Sequence, residues 1–161
     1  MRAILTSLVF LPLYAHALKS DTTQPIYVQA DRVNYQRSAG LCTYIGHVTM
    51  KQGSSNLVAD KVITYFDKKN NLQTLVAFGA PARYETLPEH KDTPLKTAAN
   101  TITYHLDKQT VDFEGDVHIE QKEDTLNGPI LIYKLSDESI ISPVTPQKGQ
   151  ISFTIHPKKR V

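Results

Sequence analysis

The sequence predicts an all-β protein assembled from a repeated unit, and three observations carry that prediction. Apolar and polar residues alternate with a period of two in one segment after another, the mark of strands with one wet and one dry face. A short motif, small or acidic at its first two positions and apolar at its fourth and sixth, occurs four times. It reads Ala30-Asp31-Arg32-Val33-Asn34-Tyr35, Ala59-Asp60-Lys61-Val62-Ile63-Thr64, Ala99-Asn100-Thr101-Ile102-Thr103-Tyr104 and Gly128-Pro129-Ile130-Leu131-Ile132-Tyr133. No stretch sustains a helical period. The motif starts at 30, 59, 99 and 128 are separated by 29, 40 and 29 residues, so one unit is reused and the middle interval carries an insertion of about a dozen residues. A unit this short cannot bury its apolar face alone and must stack on its neighbours.

Taken in order, Ile26, Val28 and Ala30 form the dry side of a first strand. Cys42, Tyr44, Gly46, Val48 and Met50 oppose Thr43, His47, Thr49 and Lys51, with Ile45 an exception on the wet side. Ile102, Tyr104 and Leu106 repeat the pattern. Val111, Phe113, Gly115, Val117 and Ile119 sort cleanly from Asp112, Glu114, Asp116, His118 and Glu120, and Ile151, Phe153 and Ile155 close the series. Gly46, Gly79 and Gly115 each follow an aromatic residue, Tyr44, Phe78 or Phe113, by one or two positions. Each unit therefore reads as a strand, a corner at the Ala-Asp pair, a second strand, a polar turn, and a return strand bent at the glycine, where a missing side chain permits a kink or bulge. The turns are expected at residues 36–40, 67–71, 107–109 and 136–138. The insertion, Glu85 to Lys96, holds Pro88, His90, Lys91, Asp92 and Pro94 and is expected to be a dispensable surface loop.

The N-terminus reads Met1-Arg2, an uncharged stretch from Ala3 to Tyr14, then Ala15-His16-Ala17. A short basic start, an apolar run too short to span a bilayer and an A-x-A site predict a secretory signal peptide over 1–17, leaving a single domain over 18–161. No cysteine follows the cleavage site, so no lipid anchor is expected. Cys42, the only cysteine, is expected to be a small buried hydrophobe. Without Arg2 the chain keeps 17 basic residues against 16 acidic ones, which argues against nucleic acid as a partner.

Phosphate-cradling, dinucleotide-binding and common hydrolytic motifs are absent, and the six histidines are dispersed. His118 and Glu120 share a strand face two residues apart, but alternation on a solvated face explains the pair without a metal. Asp31 and Asp60 recur at equivalent repeat positions. A catalytic pair is normally unique, so recurrence favours a corner role, with the carboxylate capping backbone N–H groups. Asp112, Glu114, Asp116 and Glu120 line one strand, whereas acid and base groups that cleave a glycosidic bond must flank it from two sides. No catalytic residue, metal or cofactor is expected.

The order of Gln24-Pro25-Ile26-Tyr27-Val28-Gln29-Ala30-Asp31, Tyr44-Ile45-Gly46-His47-Val48, Ala59-Asp60-Lys61-Val62, Gly79-Ala80-Pro81-Ala82 and Phe113-Glu114-Gly115-Asp116-Val117 resembles the OstA-like family over nearly the whole mature chain. The resemblance implies a β-jellyroll of stacked antiparallel strands, open at both ends and along one seam, in the periplasm. Its dry interior would carry the acyl chains of lipid A, the membrane anchor of lipopolysaccharide. Implied partners are an inner-membrane-anchored LptC-like protein, an outer-membrane LptD-like translocon and further copies of the chain joined head to tail. Ile26, Val28, Tyr84, Tyr104 and Leu106 match interior positions of the family. With Tyr35 at the sixth motif position, and Phe113 and Val117 on a dry strand face, they make up the expected lipid-binding set. The insertion, Cys42 and a shorter tail at His156 to Arg160 depart from the better-known members.

Two other functions fit the same pattern. A structural adaptor would have the same strands around a solidly packed core, and sequence does not separate a filled core from a lumen. A polysaccharide-active enzyme would need carboxylates converging on one site.

Overall fold

The computed structural model describes residues 21–89, 91–143 and 149–157. The expected signal peptide, His90 and the basic residues 158–160 lie outside the described residues. Ten strands follow in chain order: β1 (Tyr27–Gln29), β2 (Arg32–Gln36), β3 (Leu41–Gln52), β4 (Ser55–Phe66), β5 (Leu72–Thr86), β6 (Leu95–His105), β7 (Thr110–Gln121), β8 (Asp124–Lys134), β9 (Ser139–Ile141) and β10 (Ser152–Thr154). All pairings are antiparallel, and β3 to β8 each bond their sequence neighbours. β1 and β2 both pair with β3, and β9 and β10 both pair with β8, so each edge of the sheet is one strand broken in two. The fold is all-β, and the only helical segments among the described residues are two three-residue turns, Asp21–Thr23 and Arg37–Ala39.

Every ladder from β3 to β8 skips register, and the β4–β5 ladder does so a second time near its far end, at Tyr65/Phe66; the other breaks fall at Ile45/Val48, Val58/Lys61, Phe78/Ala82, Ala98/Thr101 and Glu114/Val117. These breaks form one column across the sheet. The column folds the sheet into two halves, a first half-sheet holding the residues paired around Val62, Ile102 and Phe113, and a second holding those around Leu57, Tyr84 and Ile119. The expected glycine bends occur at Gly46 and Gly115, where the following residue is left-handed as well: φ is 81° and 44° at Gly46-His47, and 77° and 49° at Gly115-Asp116. A Cβ at Gly46 would run into the Asp31 carboxylate, and one at Gly115 would lie 2.7 Å from the Asn100 amide, so each glycine admits the polar residue of the preceding motif. The Gly79 bend is made differently, with a cis Ala80–Pro81 peptide and no positive φ at the glycine.

This geometry corrects the expectation for the corner acids. The Asp31 carboxylate does not cap a backbone N–H. It takes a 2.7 Å hydrogen bond from His47 Nδ1, while the Asp31 N–H donates to the Gly46 carbonyl. The motif's first residue faces inward, with Ala59 and Ala99 buried.

The polar turns fall where expected. Asp67 accepts from the backbone N–H groups of Asn71 and Lys69, both at 2.8 Å, which holds its carboxyl below the usual range. Asn70, Gln109 and Glu138 take positive φ. The insertion needs a second correction: Glu85 pairs with Lys96 and Thr86 with Leu95, and Thr86 and Leu95 are buried. Only residues 87–94 form the loop, because Leu95 and Thr97 continue the inward alternation that the prolines and charges obscure.

The core runs through both half-sheets, from Val48, Met50, Leu57 and Ile119 on one to Val62, Leu75, Ile102, Phe113 and Leu131 on the other. Cys42 is buried as expected. Beside it burial pushes the Tyr44 hydroxyl up to about 12, with hydrogen bonding to Cys42 adding to the effect. Ile45, the outward exception, lies in a cross-strand row with Lys61 and Phe78, where the Lys61 ammonium sits 5.9 Å over the Phe78 ring.

Candidate functional site

The two half-sheets face each other across a cleft that opens opposite the column of bends. From the second half-sheet and the approach to β1 come Ile26, Met50, Leu57 and Tyr84, and from the first come Leu75, Ile102, Tyr104, Val111 and Leu135. Asp21, Lys51, Gln52, Ser55 and Asn56 edge it with polar groups. The two walls touch at its floor, where the rings of Tyr84 and Phe113 lie 6.0 Å apart. The enclosed space of the cleft is about 50 Å³.

The segment before β1 fastens over one rim. The Asp21 carboxylate accepts from the Ser54 N–H at 2.9 Å and from the Ser54 hydroxyl, and Gln52 Nε2 donates to the Gln24 carbonyl at 3.1 Å. Ser54 Oγ in turn accepts from the Leu87 N–H at 3.1 Å, so the loop after β5 is tied to the same turn. Burial raises the Tyr84 and Tyr104 hydroxyls above their ordinary value, which keeps both neutral in the cleft wall.

Of the expected lipid-binding residues, Ile26, Tyr84 and Tyr104 line the cleft, and Val28 packs half-buried against the core beside it. Phe113 and Val117 are fully buried and form packed interior rather than an open lumen. Leu106 follows the last residue of β6, half-buried, and donates its N–H to Gln73; it does not line the cleft. Tyr35 stands at the edge of the inner row that continues through Cys42, Thr64, Leu75 and Tyr104. With no strand beyond β2 among the described residues it is 47% exposed, packs edge-on against Phe66 at 6.3 Å and bonds Asn70 at 3.1 Å. Sequence reasoning missed Met50, Leu57, Leu75, Ile102 and Val111 as wall residues, although their inward alternation was the available signal.

Among the described residues no group of three or more His, Cys, Asp and Glu side chains could hold a metal. His118 Nδ1 is engaged by Asn127 Oδ1 at 2.6 Å. Asp112 lies 3.3 Å from His105 on the outer face.

A family model described as LptA/(LptD N-terminal domain) LPS transport protein matches residues 27–139, from the start of β1 to the start of β9. The chain is 30% identical over 152 residues to the lipopolysaccharide export system protein LptH of Pseudomonas aeruginosa, covering 91% of this chain and 87% of LptH. It is 24% identical over 136 residues to the lipopolysaccharide export system protein LptA of Escherichia coli K12, covering 84% of this chain and 73% of LptA. The crystal structure of LptH, described as the LptA-homologous periplasmic component of the lipopolysaccharide transport device of Pseudomonas aeruginosa, superposes with a TM-score of 0.78. That match has 29% identity and spans 86% of this chain and all of LptH. An unbroken match through the bent, double-edged sheet and its cleft makes this chain a member of the LptA/LptD N-terminal domain family of lipopolysaccharide transport proteins.

Proposed function

We propose that the protein is a periplasmic, non-enzymatic carrier that holds the acyl chains of lipid A between its half-sheets while lipopolysaccharide passes from the inner to the outer membrane. The observation that carries this reading is the apolar cleft with a polar rim, in a member of a lipopolysaccharide transport family. Exposing an acyl chain of about a dozen methylenes to water costs on the order of 10 kcal/mol, so an aqueous crossing needs a shield of this kind. The saccharide head stays outside, beyond Lys51, Gln52 and Asn56. Ile26, Val28, Tyr84 and Tyr104 are the first acyl contacts, and Phe113 and Val117 are reached as the cleft opens. A dozen methylenes, each of about a water's volume, displace roughly 350 Å³, and the half-sheets are proposed to splay about the column of bends to admit them.

The inner rows run across the strands and end at two unpaired edges. Val33 and Tyr35 are exposed at one end, and Ile151, Phe153 and Ile155 at the other. Edge strands with free backbone groups and apolar side chains suit strand addition, so the carrier is proposed to join head to tail with its own copies, with an LptC-like protein at one end and an LptD-like translocon at the other.

The packed-core adaptor has one observation in its favour, the 50 Å³ cleft. A photo-crosslinking residue placed in a lipopolysaccharide-producing host separates the two. Position 104, on the inner face, is expected to capture lipopolysaccharide, and positions 103 and 105, on the outer face, little. Equal capture at both parities, or none at 104, rejects the carrier.

A further inference from the structure

The first half-sheet is apolar on its outer face as well as its inner one. Ile45, Tyr65 and Phe78 are exposed there, and Ile63, Val76 and Ile132 are half-buried. The outer row beside the bends runs, strand by strand from β3 to β8, through Ile45, Lys61, Phe78, Thr101, Glu114 and Ile130. Taken from either end it has the same layout with the charge reversed. Isoleucine stands at both ends, and Lys61 on β4 occupies the place that Glu114 occupies on β7. Arg32 extends the row onto β2, outside the six mirrored positions.

Neither charge is neutralised within the chain. Lys61 and Glu114 are exposed, and among the described residues neither belongs to an ion pair; the Lys61 ammonium rests over the Phe78 ring. A two-fold axis lying along the strands between β5 and β6 sets this row against a copy of itself in register. Lys61 then faces Glu114 of the second copy, twice in each pair, while Ile45 faces Ile130 and Phe78 faces Thr101. Asp112, one step along β7 and 3.3 Å from His105, adds negative charge beside the incoming ammonium. Twist is no obstacle, because a uniformly twisted sheet is a saddle, and a saddle turned about such an axis matches itself. Six strands about 4.8 Å apart and three rows about 7 Å apart offer roughly 600 Å² a side, near the lower limit of a specific interface, so the contact is weak and reversible.

We infer that the outer face of the first half-sheet docks a second copy of this chain, back to back, with Lys61 and Glu114 paired reciprocally across the axis. The two clefts then point away from each other, and the copies run in opposite directions across their strands. Such a pair is a form of the free protein, distinct from the head-to-tail row, and it does not depend on the carrier reading.

Sedimentation of the Phe153→Lys protein, whose β10 edge carries a charge, examines this pairing apart from edge-to-edge growth. It is expected to approach a dimer limit as concentration rises. Lys61→Glu and Glu114→Lys each bring like charges together at both contacts and are expected to weaken the dimer about ten-fold. Mixing the two variants restores opposite charges at both contacts, so the dimer is expected to return in the mixture and in the double variant. Misfolding cannot imitate that recovery. A monomer at every concentration, a dimer that survives either reversal, or no recovery on mixing overturns the inference. A monomer that floats with phosphatidylethanolamine vesicles also overturns it, and gives the face to a lipid surface.

Discussion

Replacing Phe113 with alanine measures how solid the interior is. Phe113 is completely buried, and its ring holds the two half-sheets together through Tyr84. A phenylalanine side chain of about 200 Å² at about 25 cal/mol per Å² contributes roughly 5 kcal/mol of burial, of which alanine keeps about a third. The lost volume of about 100 Å³ adds a cavity cost of up to roughly 2 kcal/mol, reduced where the neighbouring cleft lets side chains relax. Phe113→Ala is therefore expected to lower the unfolding free energy by about 4 kcal/mol, a large part of a domain's usual 5–15 kcal/mol. Phe113→Leu, which keeps most of the volume, is expected to cost about 1 kcal/mol. Urea unfolding of the mature protein, followed by circular dichroism with the denaturant slope unchanged, reads both values. A loss under about 1.5 kcal/mol for Phe113→Ala would show that the ring faces an open lumen, and the account of a closed cleft would be wrong.

Three further outcomes are expected. Asp31→Asn should move the His47 ring toward its ordinary titration by nuclear magnetic resonance, because the hydrogen bond that His47 donates to Asp31, and then the Asp31 charge, raise the His47 pKa. Any stabilisation from this exposed pair is fully present below the unfolded histidine value and is lost as pH rises through the folded one. A titration unmoved by Asp31→Asn would refute the assignment. Exchanging residues 88–92 for Asn-Gly should leave the unfolding midpoint unchanged, whereas Leu95→Ala, at a 4% exposed site, should cost about 3 kcal/mol; the reverse order would mean that the loop carries the packing. Phe153→Lys, at a 60% exposed position of edge strand β10, should shift sedimentation toward monomer, and unaltered self-association would remove this edge from the assembly.

The strands, their inward faces and most of the turns were legible because a half-buried sheet writes itself in alternation. The bends at Gly46 and Gly115 were legible as well, since glycine beside a recurring polar residue marks a close approach. Three things were not. Val33 and Val62 occupy the same motif position, yet one is 58% exposed and the other fully buried. Membership of an edge strand is a property of the whole sheet, and no local pattern encodes it. The pairing of Thr86 with Leu95 was hidden by charges and prolines just beyond it. The groove's width depends on how closely Tyr84 approaches Phe113 across a fold between distant segments, so a filled interior and a hollow one share one alternation.

The column of bends separates two dimensions of the molecule. The angle at each corner fixes cross-section, and it is set strand by strand with local means, a left-handed pair at Gly46-His47 and Gly115-Asp116 and a proline at Pro81. Length is fixed only by how many hairpins are laid side by side, each adding about 10 Å. Duplicating a hairpin therefore extends the sheet and its cleft without changing their cross-section. A gene can lengthen such a protein in whole increments, as the motif starts at 30, 59, 99 and 128 suggest has already happened here.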